Sequence, residues 1–146
     1  MYVDHCVRPN PDAVPASEPP VELRLPADRN LLFLARLVAE GIAGTAEFSL
    51  DDIADLRMAV EEAVVALAVR ADDGAVLDCA FRTAGRITIT VATSSSAMQP
   101  PGPDEVGWHV LRALTDSVAA WAEPGNGRHG WRLYLEFTKE PRTGGP

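Results

Sequence analysis

Lysine is all but missing from this chain and cysteine is scarce: among 146 residues, Lys139 is the one lysine, and Cys6 and Cys79 are the two cysteines. One cysteine lies in a proline-rich stretch and the other in a strand-like alternation, so neither a disulfide framework nor a zinc spacing can be drawn. His5, His109 and His129 add no ligand spacing, and no metal is expected. Long apolar runs are missing too. Nowhere do about 18 consecutive apolar residues occur, as a membrane-spanning helix requires, and residues 1–20 lack the apolar segment of a secretory leader. A reducing, cytoplasmic setting without a membrane association is the expectation. Clustered positive charge is also absent. A formal net charge of -8 disfavours direct binding to nucleic acid or anionic membrane, both of which need basic patches to displace counterions. An acidic surface suits a basic protein partner.

What is present suffices for one domain, because 47% hydrophobic residues is the composition of an ordinary globular chain with a core. Residues 1–20 hold five of the twelve prolines with little apolar periodicity. Such a segment resists helix and ladder alike and reads as a flexible tail. Residues 141–146 read the same way, leaving a domain over residues 21–140.

Within it, Val21, Leu23 and Leu25 alternate with polar residues as in a half-buried strand. Asp28 is placed to cap a helix running from Arg29 to Ile42, with Leu31, Leu34, Val38 and Ile42 at helical spacing and Gly44 as a stop. Ser49 starts a second helix to about Arg70. Its hydroxyl is expected to accept from the Asp52 amide while the Asp52 carboxylate reaches back. Ile53, Leu56, Val60, Val64 and Leu67 form the core stripe. Leu77, Cys79 and Phe81, then Ile87, Ile89 and Val91, make two strands joined by a hairpin at Ala84-Gly85. Ser94 to Pro103, with Ser94, Ser95 and Ser96, reads as a loop. Trp108, Leu111, Leu114, Thr115 and Val118 predict a third helix with Trp108 in the core. Trp131, Leu133, Leu135 and Phe137 predict a final strand. Strands apolar on one face only imply helices on one side of the sheet. The fold class is therefore α/β (α+β): a two-layer sandwich of three helices on a mixed, mainly antiparallel sheet of about four to five strands.

Three stretches carry a resemblance. Glu62-Ala63 sits in the second helix; Ile87-Thr88-Ile89-Thr90-Val91 leads into a loop; and Gly107 begins a helix whose sequence ends in Asp116-Ser117-Val118. Their order resembles the bacterial anti-sigma factor and serine-protein kinase family of the Bergerat-type (GHKL) ATPases, over about Val21 to Lys139. The resemblance implies an ATPase-like fold and a pocket at Glu62, Ala66, Thr93, Ser95, Ala97, Glu105 and Gly107. It makes Glu62 the catalytic base or its relic, and Arg36, in an Ala-Arg pair on the first helix, a sigma-contact residue. An arginine suits that work because its planar fork pairs bidentately with carboxylates. ATP and magnesium are the cofactors that the resemblance implies.

The chain departs from the family pattern at the nucleotide positions. Ala66 replaces the asparagine that helps hold magnesium, Thr93 the aspartate that bonds adenine, Ser95 and Ala97 the loop glycines, and Glu105 the first glycine of a later pair. Without a positioned counter-ion and close backbone amides, a triphosphate loses its cradle. ATP binding and kinase activity are expected to be weak or lost. Around Glu62, Met58, Ala66 and Val69 share a face at ~100° per residue, giving an apolar pocket wall. The function implied is an anti-sigma factor that sequesters a sigma factor and is released by an antagonist of the sulfate-transporter and antagonist (STAS) type. A homodimer and a role in stress response are implied with it. Two alternatives stand beside it: an active ATP-dependent serine-protein kinase acting on that antagonist, and a module on the same fold that binds a non-nucleotide ligand or dimerises.

Overall fold

The alternation of Val21, Leu23 and Leu25 produces the first strand, β1 (Val21–Pro26), in a computed structural model that describes residues 19–125 and 130–142. The flexible tails expected at either end fall largely outside the described residues, as do His5, Cys6 and His129. Asp28 does not cap the first helix. Its Oδ1 accepts the Asn30 amide at 2.9 Å and its carbonyl accepts the Leu31 amide at 2.8 Å, closing a turn that competes for the amides a helix start would use. Helix α1 (Phe33–Gly44) begins after Leu32, and its fully buried line is Ala35, Ala39 and Ala43. Leu34, Val38 and Ile42, the expected stripe, are half-buried beside that line. Small side chains on the line let α1 pack closely on the helix that follows.

That helix, α2 (Leu50–Ala68), is capped as its sequence predicts, with the Ser49 hydroxyl accepting the Asp52 amide at 3.1 Å. The Asp52 carboxylate does not complete a capping box, because its Oδ2 accepts the Arg142 amide at 3.1 Å. Leu56, Val60, Val64 and Leu67 are wholly buried. Strands β2 (Val76–Thr83) and β3 (Ile87–Ser95) form the expected hairpin, in which the Ala84 amide donates to the Arg86 carbonyl at 3.0 Å and Gly85 takes φ +75. β3 runs further than expected, so Ser94 and Ser95 belong to the strand and only Ser96 to the loop.

Helix α3 (Val106–Leu114) stops short of Val118. Thr115 is extended at φ -131 and its hydroxyl donates to the Leu111 carbonyl at 2.6 Å, after which the Asp116 amide donates to the Thr138 carbonyl. The chain then enters an unanticipated strand, β4 (Ser117–Pro124), paired with β5 (Trp131–Lys139). The sheet order is β1-β2-β3-β5-β4 and every pairing is antiparallel. The fold is thus an α+β two-layer sandwich, five strands under three helices, as the class predicted.

A charged clamp fastens α2 to the end of β5. Lys139, 5% exposed, donates from Nζ to the Leu114 carbonyl at 2.9 Å and to Asp55 Oδ2 at 3.5 Å, with Asp52 Oδ1 at 3.9 Å. Arg142 Nε stands 3.2 Å from Asp52 Oδ1, and its Nη2 donates to Asp55 at 3.0 Å. Burial works to raise the Asp52 pKa, but the Arg142 amide, the Ser49 hydroxyl and the two cations outweigh it and hold the carboxyl below its usual range.

Candidate functional site: the cleft between the second and third helices

Residues from two separate stretches meet where α3 crosses α2. Gly107, in the first turn of α3, lies so close to α2 that a Cβ on it would stand 2.7 Å from Glu62 Oε2. Only glycine leaves that carboxylate its present position. Beside it opens a cavity of about 290 Å³ lined by Met58, Glu61, Glu62, Val65 and Val110. Glu62 is half-buried there, and among the described residues it has no hydrogen-bond or ion-pair partner.

Two other positions singled out in the sequence, Ala66 and Glu105, are brought together one turn further along α2. Ala66 is partly buried and packs against the core. Its carbonyl accepts Nη1 of Arg70 at 2.7 Å, and the same guanidinium donates through Nε to the Gln99 carbonyl at 2.9 Å and through Nη2 to Glu105 Oε2 at 2.5 Å. Glu105 Oε2 also accepts the Gly102 amide at 3.3 Å. Arg70 therefore straps the loop before α3 onto the end of α2, with Pro100, Pro101 and Gly102 buried beneath it. Sequence reasoning passed over Arg70. The available signal was its position four residues after Ala66, on the same helical face.

Thr93 is wholly buried, its hydroxyl donating to the Val76 carbonyl at 2.9 Å. Ser95 is 3% exposed and its Oγ accepts the Ala97 amide at 3.2 Å; Ala97 itself is exposed. These side chains serve the backbone around them. Trp108 is buried in the core as expected, and His109 is exposed. No group of three His, Cys, Asp or Glu among the described residues is close enough to hold a metal ion.

Arg36 lies apart from these, on α1 facing α2. Its Nη1 donates to Glu61 Oε1 at 3.4 Å, while its Nε is buried without a hydrogen-bond partner among the described residues. With Ala54, Arg57, Met58 and Glu61 it lines a groove of about 240 Å³, and Arg57 pairs with Glu40 on its rim. Met58 and Glu61 line this groove and the cleft alike.

The sheet face away from the helices holds a further groove, of about 530 Å³, across β1, β2, β3 and β5. Asp78 sits in it between Arg24 Nε at 2.8 Å and Arg132 Nη2 at 2.5 Å. The Arg24 hydrogen bond is the largest influence on Asp78; it and Arg132 overcome burial and lower the carboxyl below its usual range. Trp121 and Tyr134 stack nearby, ring centres 5.0 Å apart. No residue here was named in the sequence as part of a site.

No protein-family model matches the chain, and no curated protein matches it. Among solved structures it is similar to the RsbU and RsbW domains of Rv1364c from Mycobacterium tuberculosis, with TM-score 0.53 and 21% identity. That likeness covers 86% of this chain and 34% of the other, so the chain spans about a third of that structure's length. At such identity the likeness shows the fold alone. The five-stranded antiparallel sheet with three helices is consistent with an RsbW-like fold. Among the described residues, no helix is long and apolar enough to cross a membrane.

Proposed function

We propose that residues 21–140 form an anti-sigma domain that sequesters a sigma subunit of RNA polymerase, is released by a STAS-type antagonist, and neither binds ATP tightly nor transfers phosphate. Support comes from the RsbW-like fold together with the order of the motifs along the chain. The observation that carries the loss of nucleotide chemistry is the Arg70–Glu105 bridge.

A triphosphate with magnesium does not fit these residues. Glu105 places a carboxylate at the start of α3, where a phosphate would need unopposed amides. The cation nearest to it, Arg70, is already committed to Glu105 and to two carbonyls. Ala66 offers no side-chain ligand for magnesium, and a lysine to clamp phosphate is unavailable because Lys139 is buried at the other end of α2. Binding would require breaking a paired contact and bringing like charges together. Glu62 keeps a carboxylate beside Gly107 but has no phosphoryl group to act upon.

A second reading has one observation in its favour. Glu62 has no partner, as a general base awaiting a serine hydroxyl would, and this leaves the serine-kinase alternative standing. Titration calorimetry with ATP and magnesium separates the two. The anti-sigma reading expects no binding in the micromolar range and no label transfer to an antagonist serine. Micromolar affinity lost in Glu62→Ala, with such transfer, would establish the kinase. Co-expression with each sigma factor of the same cell tests the partner class, and failure to form a stable complex with any of them would refute it.

A further inference from the structure

α2 carries a line of apolar side chains that no described residue covers. Met58 and Val65 are 55% and 36% exposed and a spacing of seven puts them on one face of the helix, with Val69 at its C-cap, 64% exposed, four residues on. Val110 adds to the cleft from α3, with Val106, 79% exposed, one turn before it. The cleft and the groove on the α1 side share Met58 and Glu61 in their linings, so the two lie side by side as a trough along α2. From Ala54 to Val65 it runs about 16 Å at ~1.5 Å per residue, the length of about three helical turns.

One polar group in the trough is both open to an occupant and unmatched among the described residues, the Glu62 carboxylate; Arg36 Nε, though without a partner, is buried. A purely apolar occupant would strip water from Glu62 and leave it a buried, unpaired charge, which is costly. The trough therefore selects an occupant that brings a cation to Glu62. A net charge of -8 over the chain favours encounter with a basic partner.

We propose that this trough is a docking site for an amphipathic helix of a partner protein. The helix rests aliphatic side chains on Met58, Val65 and Val110 and sets a lysine or arginine on Glu62. The existence of a protein partner rests on the binding-protein reading above. The position and chemistry of the site rest on the geometry of α1, α2 and α3.

The test is photo-crosslinking of the full chain in its own cell, with a benzophenone amino acid in place of Val65, or of Glu22 on the opposite sheet face as control. The expected result is an adduct at position 65 and none at 22. Its partner peptide should carry apolar residues at helical spacing and a lysine or arginine. Yield should fall at least about tenfold in a Glu62→Lys background, with the thermal midpoint unchanged, and recover when the partner's basic residue is changed to glutamate. No adduct at 65, an adduct to a second copy of this chain, a partner peptide without a basic residue, or a yield indifferent to Glu62→Lys would each overturn the proposal. If the adduct has the stated chemistry but belongs to a protein other than a sigma factor or its antagonist, the docking site stands and the anti-sigma reading falls. If a sigma complex forms but crosslinks only at 22, the reverse holds.

Discussion

Burial pushes the Cys79 thiol up to about 12, with the neighbouring Asp78 charge adding to the shift. The thiolate is the reactive species, so this cysteine is inert at neutral pH despite the reducing setting its scarcity suggested. In a Cys6→Ser variant, a disulfide reagent at pH 8 is expected to label no thiol in the native protein and one after unfolding in denaturant; native labelling would contradict the buried placement. Asp52 responds to the same interior in the opposite sense because it has partners. Its folded pKa lies below the unfolded value of about 3.9, so its contribution is fully present above that value and is lost as pH falls through the folded pKa. Asp52→Asn leaves Lys139 with Asp55 and the Leu114 carbonyl, and a loss of about 3–5 kcal/mol is expected at pH 7. Urea unfolding at pH 7 and pH 3 checks the sign: the gap between wild type and variant should narrow at the lower pH.

Among the elements, β4 was the one hidden in the sequence. Leu111, Leu114, Thr115 and Val118 continue a helical period across the boundary, and Ser117-Val118-Ala119-Ala120-Trp121-Ala122 is alanine-rich, which blurs strand alternation. What decides the matter is non-local: β5 has β3 on one side and takes β4 on the other. α1 shows a similar limit, since Ala35, Ala39 and Ala43 are the buried line although the larger Leu34, Val38 and Ile42 carry the stronger pattern. By contrast, α2, the β2–β3 hairpin and β5 were legible because local chemistry and burial agree there. The strap is an element-scale device as well. Arg70→Ala removes the two contacts to residues 99–105 and the third that anchors the guanidinium on Ala66, and the Gly102 amide, now bonded to Glu105, is expected to exchange at least about tenfold faster, a loss of ~1.4 kcal/mol or more in local opening. Amides in the centre of β3 should be unaffected. Arg70→Lys should restore the protection only in part, since an ammonium cannot span the same three acceptors in the guanidinium's geometry. Hydrogen exchange read by mass spectrometry distinguishes these outcomes.

For the molecule as a whole, the chain pairs an RsbW-like fold with a cleft that holds an unmatched carboxylate. Glu62 and Gly107 were singled out from separate motifs, and the fold sets them side by side. The Arg70–Glu105 bridge was illegible because it joins residues 35 apart in sequence, with β2 and β3 between them. Arg36 could be named from its neighbours, but its pairing with Glu61 and its place in a trough needed the packing of α1 on α2. A net charge of -8, an apolar trough and an unmatched carboxylate all suit protein binding better than phosphate binding. The most direct test is affinity capture of each sigma factor of the same cell by the purified full chain, run with and without magnesium and ATP. Stable capture of one sigma factor, with the same yield in both conditions, is the expected result. Capture of none, or capture that requires ATP, would contradict a nucleotide-independent anti-sigma function.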